Sequence, residues 1–230
     1  MIIDGFEKLT LLDYPGNIAC IIFTRGCNLN CPFCHNSALI PCSNSPGEIE
    51  ESEIFEYLEK RKNIIEGVCI TGGEPLLQHD IKEFIKKIKA MNFKVKLDSN
   101  GSNYIKLKEL MEENLVDYIA MDIKNIFEEY NDTSGVKNLD IENIKKSINL
   151  IKKSKIEHEF RTTIVKEYHN NEKIDKLLKI VGKDSKYYLQ NFMNNDNVVN
   201  KNLTSFTTVE LEELTNTLLK NYSNAEIRKI

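Results

Sequence analysis

An α/β fold built on a parallel sheet is what this chain of 230 residues predicts, and three observations predict it. Short β-rich apolar runs alternate with segments of helical periodicity along most of the chain. Polar side chains capable of chemistry fall at or just past the C-terminal ends of those runs, the edge on which parallel sheets and α/β barrels carry their sites. The length suits one α/β domain with a substantial core, so residues 1–230 are read as a single domain.

Taken in order, 18–24 is an apolar strand that ends at a cysteine-rich loop. Residues 50–62 read as a helix with Ile54, Phe55 and Leu58 on one face, and 68–71 as a strand running into Gly72-Gly73. The helix over 81–91 places Ile81, Phe84, Ile85 and Ile88 at helical spacing. There follow a strand at 93–97, a helix at 104–114, a strand at 118–123, a helix at 141–153, a strand at 160–165, a helix at 174–181, a strand at 187–192 and a helix at 209–221. A short last strand is expected at 225–228, and the polar stretch 194–202 reads as a loop. No repeat, linker or low-complexity tract interrupts the alternation.

Composition narrows the class of partner. The net charge is −4 with 29% charged residues, so no basic face for nucleic acid is expected. No apolar run approaches a membrane span, and residues 1–7 lack the positive-then-apolar pattern of a signal peptide. A cytoplasmic protein with reduced thiols is expected.

Three of the six cysteines, Cys27, Cys31 and Cys34, stand at C-x3-C-x2-C spacing. Structural zinc takes four ligands and an ordinary iron–sulfur cubane takes four cysteines. Three thiolates on a [4Fe–4S] cluster leave one iron without a protein ligand, an open position for chemistry. Zinc with His35 or Cys42 as fourth ligand is the competing reading, and a non-enzymatic zinc module the competing function. Cys20 and Cys69 lie inside apolar strands and read as core residues; Cys42 reads as a bystander, since a fourth thiolate would close the open iron.

Other strand ends carry further candidates. In Thr71-Gly72-Gly73-Glu74-Pro75 the two glycines allow close backbone approach, and the carboxylate can hold an ammonium group. Asp98-Ser99-Asn100-Gly101 is either part of a site or a helix-capping turn. Asp122 and Lys124 follow a buried-looking strand and are either ligand contacts or an exposed ion pair. Arg161 either reaches the site or pairs with a carboxylate. Gln190 and Asn191 end another strand. His79, His158 and His169 are given no role.

The cysteine loop resembles that of the radical S-adenosylmethionine enzymes, and Gly72-Gly73-Glu74-Pro75 resembles their GGEP element. The resemblance narrows to glycyl-radical-enzyme activating enzymes through Cys34-His35-Asn36 and Asp13-Tyr14-Pro15-Gly16. It extends to the longer type of anaerobic ribonucleotide reductase activating protein through 5–16, 117–124, 160–163 and 188–192. It implies a partial (β/α)6 barrel, a [4Fe–4S] cluster on Cys27, Cys31 and Cys34, and S-adenosylmethionine as cofactor. Gly72, Gly73, Glu74, Asp98 and Ser99 would meet the methionine amino group, Lys124 its carboxylate and Asp122 the ribose. Phe33 (through its backbone), His35 and Asn36 would lie along the adenine, with Arg161 and Gln190 completing the site. A monovalent cation shared by Asp98 and Asp122 is a further possibility of this resemblance. The implied reaction takes one electron from a flavodoxin or ferredoxin, cleaves the S–C5′ bond, and removes hydrogen from a glycine of a partner enzyme, with anaerobic ribonucleotide reductase as the expected partner. The rival substrates within the same chemistry are a small molecule, as in 7-carboxy-7-deazaguanine synthesis, or a ribosomal peptide. The chain departs from the pattern in lacking a ferredoxin-like insert and in offering Gln190, Asn191 and Phe192 where the pyruvate formate-lyase activator has a histidine.

Overall fold

The computed structural model describes residues 1–41 and 47–228. Its strands are β1 (Ile3–Thr10), β2 (Ala19–Thr24), β3 (Gly67–Gly72), β4 (Lys94–Ser99), β5 (Tyr118–Asp122), β6 (Glu157–Ile164), β7 (Lys186–Asn191) and β8 (Ala225–Arg228). They form one sheet in sequence order. β2 to β8 pair parallel, and β1 lies antiparallel against β2. Parallel neighbours need crossovers. These are supplied by α1 (Glu51–Arg61), α2 (Ile81–Ala90), α3 (Tyr104–Glu112), the short α4 (Tyr130–Ser134), α5 (Ile141–Lys153), α6 (Asn171–Val181) and α7 (Thr208–Thr217). The sheet begins at β1 and ends at β8 without closing, which makes it a partial barrel as expected.

The two faces of the strands divide by chemistry. Val68 and Ile70, Val95 and Leu97, and Ile119 and Met121 belong to the main core together with Ile54, Leu58, Phe84, Ile85 and Ile88 of the helices. The alternate positions face the barrel interior. Its lining is apolar at Ile21, Cys69, Tyr118 and Tyr14 and charged at Lys96, which lies level with Cys69 and Tyr118 and pairs with Asp98 at 2.5 Å. Tyr118 Oη donates to Glu159 Oε2 at 2.8 Å. Period-two alternation therefore puts hydrocarbon under the helices and charge inside the barrel.

β1 escaped the sequence reading. Register shifts between Ile3 and Gly5 and between Glu7 and Thr10 break its alternation, and a bulged strand has no clean period of two. The loop assignment for 194–202 stands, but this stretch packs on the cysteine loop. The backbone N–H of Asn200 donates to the Pro32 carbonyl at 2.8 Å, and Ser37 Oγ donates to the Asn197 carbonyl. Val198 and Leu203 join Leu29, Cys31, Phe33, Val165 and Phe192 in a second core. Among the described residues no helix is long and apolar enough to cross a membrane.

Candidate active site at the strand ends

The C-terminal strand edge encloses a cavity of about 300 Å³, within the size range of small-molecule and cofactor sites. Cys27, Cys31 and Cys34 line it, with Phe33, His35 and Asn36 from the same loop, Gly72 and Gly73 after β3, Asp98 and Ser99 at the end of β4, Asp122 and Lys124 after β5, Arg161 on β6 and Gln190 on β7. Of the residues that the resemblance places around the cluster and S-adenosylmethionine, Glu74 alone is not on its wall.

Backbone packing explains how the cysteine loop meets the glycines. The N–H of Gly73 donates to the Thr24 carbonyl, and that of Glu74 to the Gly26 carbonyl, both at 2.8 Å. A Cβ on Gly73 would sit 2.1 Å from the Gly26 carbonyl oxygen, and Gly72 holds φ at +110° with its Cβ direction blocked by Thr24. Both positions require glycine. On the far side, Asn30 N–H donates to Ser134 O at 2.8 Å, so the loop is held between β3 and α4.

Burial raises the thiols of the loop, Cys27 to about 12, Cys31 to about 11, and Cys34 in the same direction. It raises Cys20 to about 12 as well. Acidity therefore does not separate ligand thiols from core thiols; a place on the loop does. Cys20 is fully buried in the main core, whereas Cys69 forms part of the cavity floor. Cys42 lies outside the described residues. No three His, Cys, Asp or Glu side chains among the described residues are grouped around a single ion. The His35 ring meets the Met193 carbonyl through Nε2 at 2.7 Å and stacks on Phe192. Three sulfurs of one loop on one cavity wall, beside a cradle that only glycine fits, suit a cluster with an adjoining ligand.

Glu74 does its work from behind the wall. It is 1% exposed. Its Oε1 accepts from Ser99 Oγ at 2.9 Å and from Leu76 N–H at 3.1 Å, and its Oε2 from Asn100 N–H at 2.6 Å. Burial pushes the carboxyl up to about 7, and the three donors hold it from going further. Two of these three bonds come from the 99–100 turn. Glu74→Ala is expected to leave those donors unpaired in a buried site and to cost ~2–4 kcal/mol of stability, measured by denaturant unfolding; a loss under 1 kcal/mol would contradict the bracing role.

A chain of alternating charges crosses the site. Lys96 holds Asp98 Oδ1. Arg161 donates through Nη1 to Asp98 Oδ2 at 3.1 Å and through Nε to Asp122 Oδ1 at 2.9 Å. Lys124 donates to Asp122 Oδ2 at 3.0 Å. Burial alone would raise both carboxyls, but Arg161, aided by Lys96 at Asp98 and Lys124 at Asp122, holds each below its usual range. Between Asp98 and Asp122, the pair for which a shared monovalent cation was a possibility, the Arg161 guanidinium bonds to both carboxylates. Arg161 both lines the cavity and pairs with carboxylates, so the two alternatives for it were not exclusive.

Two contributions were missed in the sequence. His169 is 2% exposed. Its Nδ1 accepts from Val165 N–H at 3.1 Å, and Nε2, which then carries the proton, donates to the Lys124 carbonyl at 3.1 Å. Burial lowers it to about 4, so it is a neutral clamp on the segment bearing Lys124. Asn100, the other, bonds to the cysteine loop. A histidine in a polar loop carries no periodic signal, and Asn-Gly reads simply as a turn.

A model of the Radical SAM superfamily matches residues 21–181. The chain is 33% identical over 199 residues to a putative glycyl-radical enzyme activating enzyme of Methanocaldococcus jannaschii, covering 83% of this chain and 80% of that one. It is also 33% identical over 134 residues to a pyruvate formate-lyase-activating enzyme of Listeria monocytogenes, where the match takes in 54% of this chain and 53% of the relative, about half its length. Among solved structures, SuiB of Streptococcus suis bound to S-adenosylmethionine superposes with a TM-score of 0.69 at 14% identity, over 89% of this chain and 48% of that one. QueE of Escherichia coli gives 0.59 at 14% identity, over 98% and 92%. At such identities the structures speak for the fold.

Proposed function

The chain belongs to the radical SAM superfamily, whose cofactors are a [4Fe–4S] cluster and S-adenosylmethionine, and we propose that it activates a glycyl-radical enzyme, with anaerobic ribonucleotide reductase as its partner. The observation that supports the activating role is the similarity to the putative glycyl-radical enzyme activating enzyme of Methanocaldococcus over most of both chains; the choice of partner rests on the resemblance in 5–16, 117–124, 160–163 and 188–192.

When bound, the two cofactors supply reductive cleavage and hydrogen-atom abstraction, with the electron coming from a flavodoxin or ferredoxin. The residues divide the remaining work. Cys27, Cys31 and Cys34 would hold the cluster. The backbone of Gly72 and Gly73, with Asp98 and Ser99, would receive the methionine amino group. Glu74 keeps its place in that reading as the brace of the Ser99 turn. Lys124 spends one of its three donors on Asp122, and two remain for a carboxylate. Each oxygen of Asp122 accepts one bond, which leaves capacity for ribose hydroxyls. Phe33, with its ring buried among Val165 and Phe192, would offer its backbone to the adenine beside His35 and Asn36. Arg161 keeps both carboxylates charged.

Thr163 and Gln190 face the cavity from β6 and β7. Their side chains make no hydrogen bond to other described residues, in contrast to the ion-paired Asp98 on β4 and Asp122 on β5, and are placed to meet an incoming polypeptide segment. The test is hydrogen transfer. With reductant and S-adenosylmethionine, a partner reductase deuterated at the α-carbon of glycine should pass label into 5′-deoxyadenosine and show a glycine-centred paramagnetic doublet. Label arising from a small substrate, with no spin on any partner glycine, would replace this reading by the small-molecule one.

A further inference from the structure

We infer that the Asn100 carboxamide tunes the reduction potential of the cluster by donating a hydrogen bond to the sulfur of Cys27. The inference rests on the reading of Cys27 as a cluster ligand.

Asn100 sits in the turn after β4 and is buried. Its orientation is fixed from three sides. Its Oδ1 accepts from Ser102 N–H at 2.9 Å. Its Nδ2 donates to Asn28 Oδ1 at 3.0 Å and stands 4.0 Å from Cys27 Sγ. Asn28 cannot be turned over, because its own NH2 group would then face the Asn100 Nδ2; as it stands, its Nδ2 donates to Ser102 Oγ at 2.9 Å. The oxygen and nitrogen ends of both amides are therefore assigned by the network. The backbone of the turn is held equally firmly. Asn100 N–H bonds to the buried Glu74, and Gly101 has φ of +74° with Met121 packed where a Cβ would be.

One N–H of Asn100 is thus used by Asn28, and the other is aimed at sulfur. The Leu29 N–H adds a second donor to the same sulfur at 3.4 Å. Among the described residues no side chain donates to the sulfur of Cys31 or Cys34, so Asn100 makes the three corners of the site unequal.

Reducing a cluster adds one electron, whose charge spreads over its sulfurs. A donor to a ligand sulfur stabilises the reduced form more than the oxidised one and raises the potential. Asn100 touches a ligand and not the reacting atoms, so it is a positioning residue. Its readout is the potential itself, which a purely structural role would leave unmoved.

The experiment is a mediated dithionite titration of anaerobically reconstituted protein, followed by the paramagnetic signal of the reduced cluster, with iron and sulfide measured for each variant. Asn100→Leu keeps the size and removes the donor. It is expected to retain the cluster and to titrate more negative, with the reduced-to-oxidised ratio at a fixed poise falling about five-fold, or ~1 kcal/mol. Asn100→Asp, which keeps the acceptor for Ser102, should shift in the same direction and further. Asn28→Ala breaks the loop contact but leaves the donor on sulfur, and should titrate close to wild type. Wild-type potentials in both Asn100 variants, or an equal shift in Asn28→Ala, would overturn the inference. A wild-type protein that binds no four-iron cluster would overturn it together with the cluster reading, an outcome that iron analysis separates from the other two.

Discussion

Cys27→Ala, Cys31→Ala and Cys34→Ala are each expected to emerge from anaerobic reconstitution without a four-iron cluster and with no cleavage of S-adenosylmethionine. The effect should be complete, because each thiolate would hold a different corner and no other thiol of the described residues is placed to replace it. Cys20 is enclosed in the main core. Cys69 lies in the cavity floor among Ile21 and Tyr118, on the third strand rather than the loop. Cys20→Ala and Cys69→Ala should therefore keep about four irons. Cys42→Ala should keep them too, since a fourth protein thiolate would close the iron on which the chemistry depends. Iron and sulfide analysis with the visible absorption of the purified variants decides the matter. Loss of the cluster in Cys42→Ala would mean a closed four-thiol site, and the functional proposal would fall with it.

The second large effect is expected at Arg161. Replacing it by Met keeps the aliphatic stem but leaves Asp98 and Asp122 as neighbouring carboxylates with one counter-charge each. Removing one partner of a buried pair typically costs ~3–5 kcal/mol, and the Arg161 side chain is only 15% exposed. Stability in denaturant should fall by that order, and affinity for S-adenosylmethionine by at least ~10-fold. The sign of the pH dependence follows from the depressed carboxyls. In the wild type their contribution is fully present above the ordinary aspartate pKa of ~3.9 and is lost as pH falls through the lower folded values. In Arg161→Met that acid-labile increment should shrink. Because the guanidinium supplies the charge between the two carboxylates, S-adenosylmethionine binding by the wild type should be indifferent to exchange of potassium for sodium or a bulky ammonium ion, whereas the variant should gain a dependence. Unchanged affinity and stability in Arg161→Met, by calorimetric titration and urea unfolding, would remove Arg161 from both roles.

The sequence by itself determined the elements whose signal is local and periodic. α2 was legible because Ile81, Phe84, Ile85 and Ile88 recur at helical spacing, and all four are buried. The parallel strands were legible as apolar runs ending in polar residues, and that placement already gathered Cys27, Gly72, Asp98, Asp122 and Gln190 on one edge. β1 was not legible, since its bulges destroy the period of two. What only the tertiary structure decided is which groups answer one another across the barrel. A carboxylate after two glycines looks the same whether it faces a ligand or a turn, and only the fold turned Glu74 away from the cavity to hold Ser99 and Asn100. Arg161 lies 63 residues from Asp98 and 39 from Asp122, and no local pattern encodes a guanidinium lodged between them. His169 under Lys124 and Asn100 against Cys27 are of the same kind. Hydrogen bonds and charge pairs act over about 3 Å between residues far apart in the chain, so they are fixed only when the strands are brought side by side.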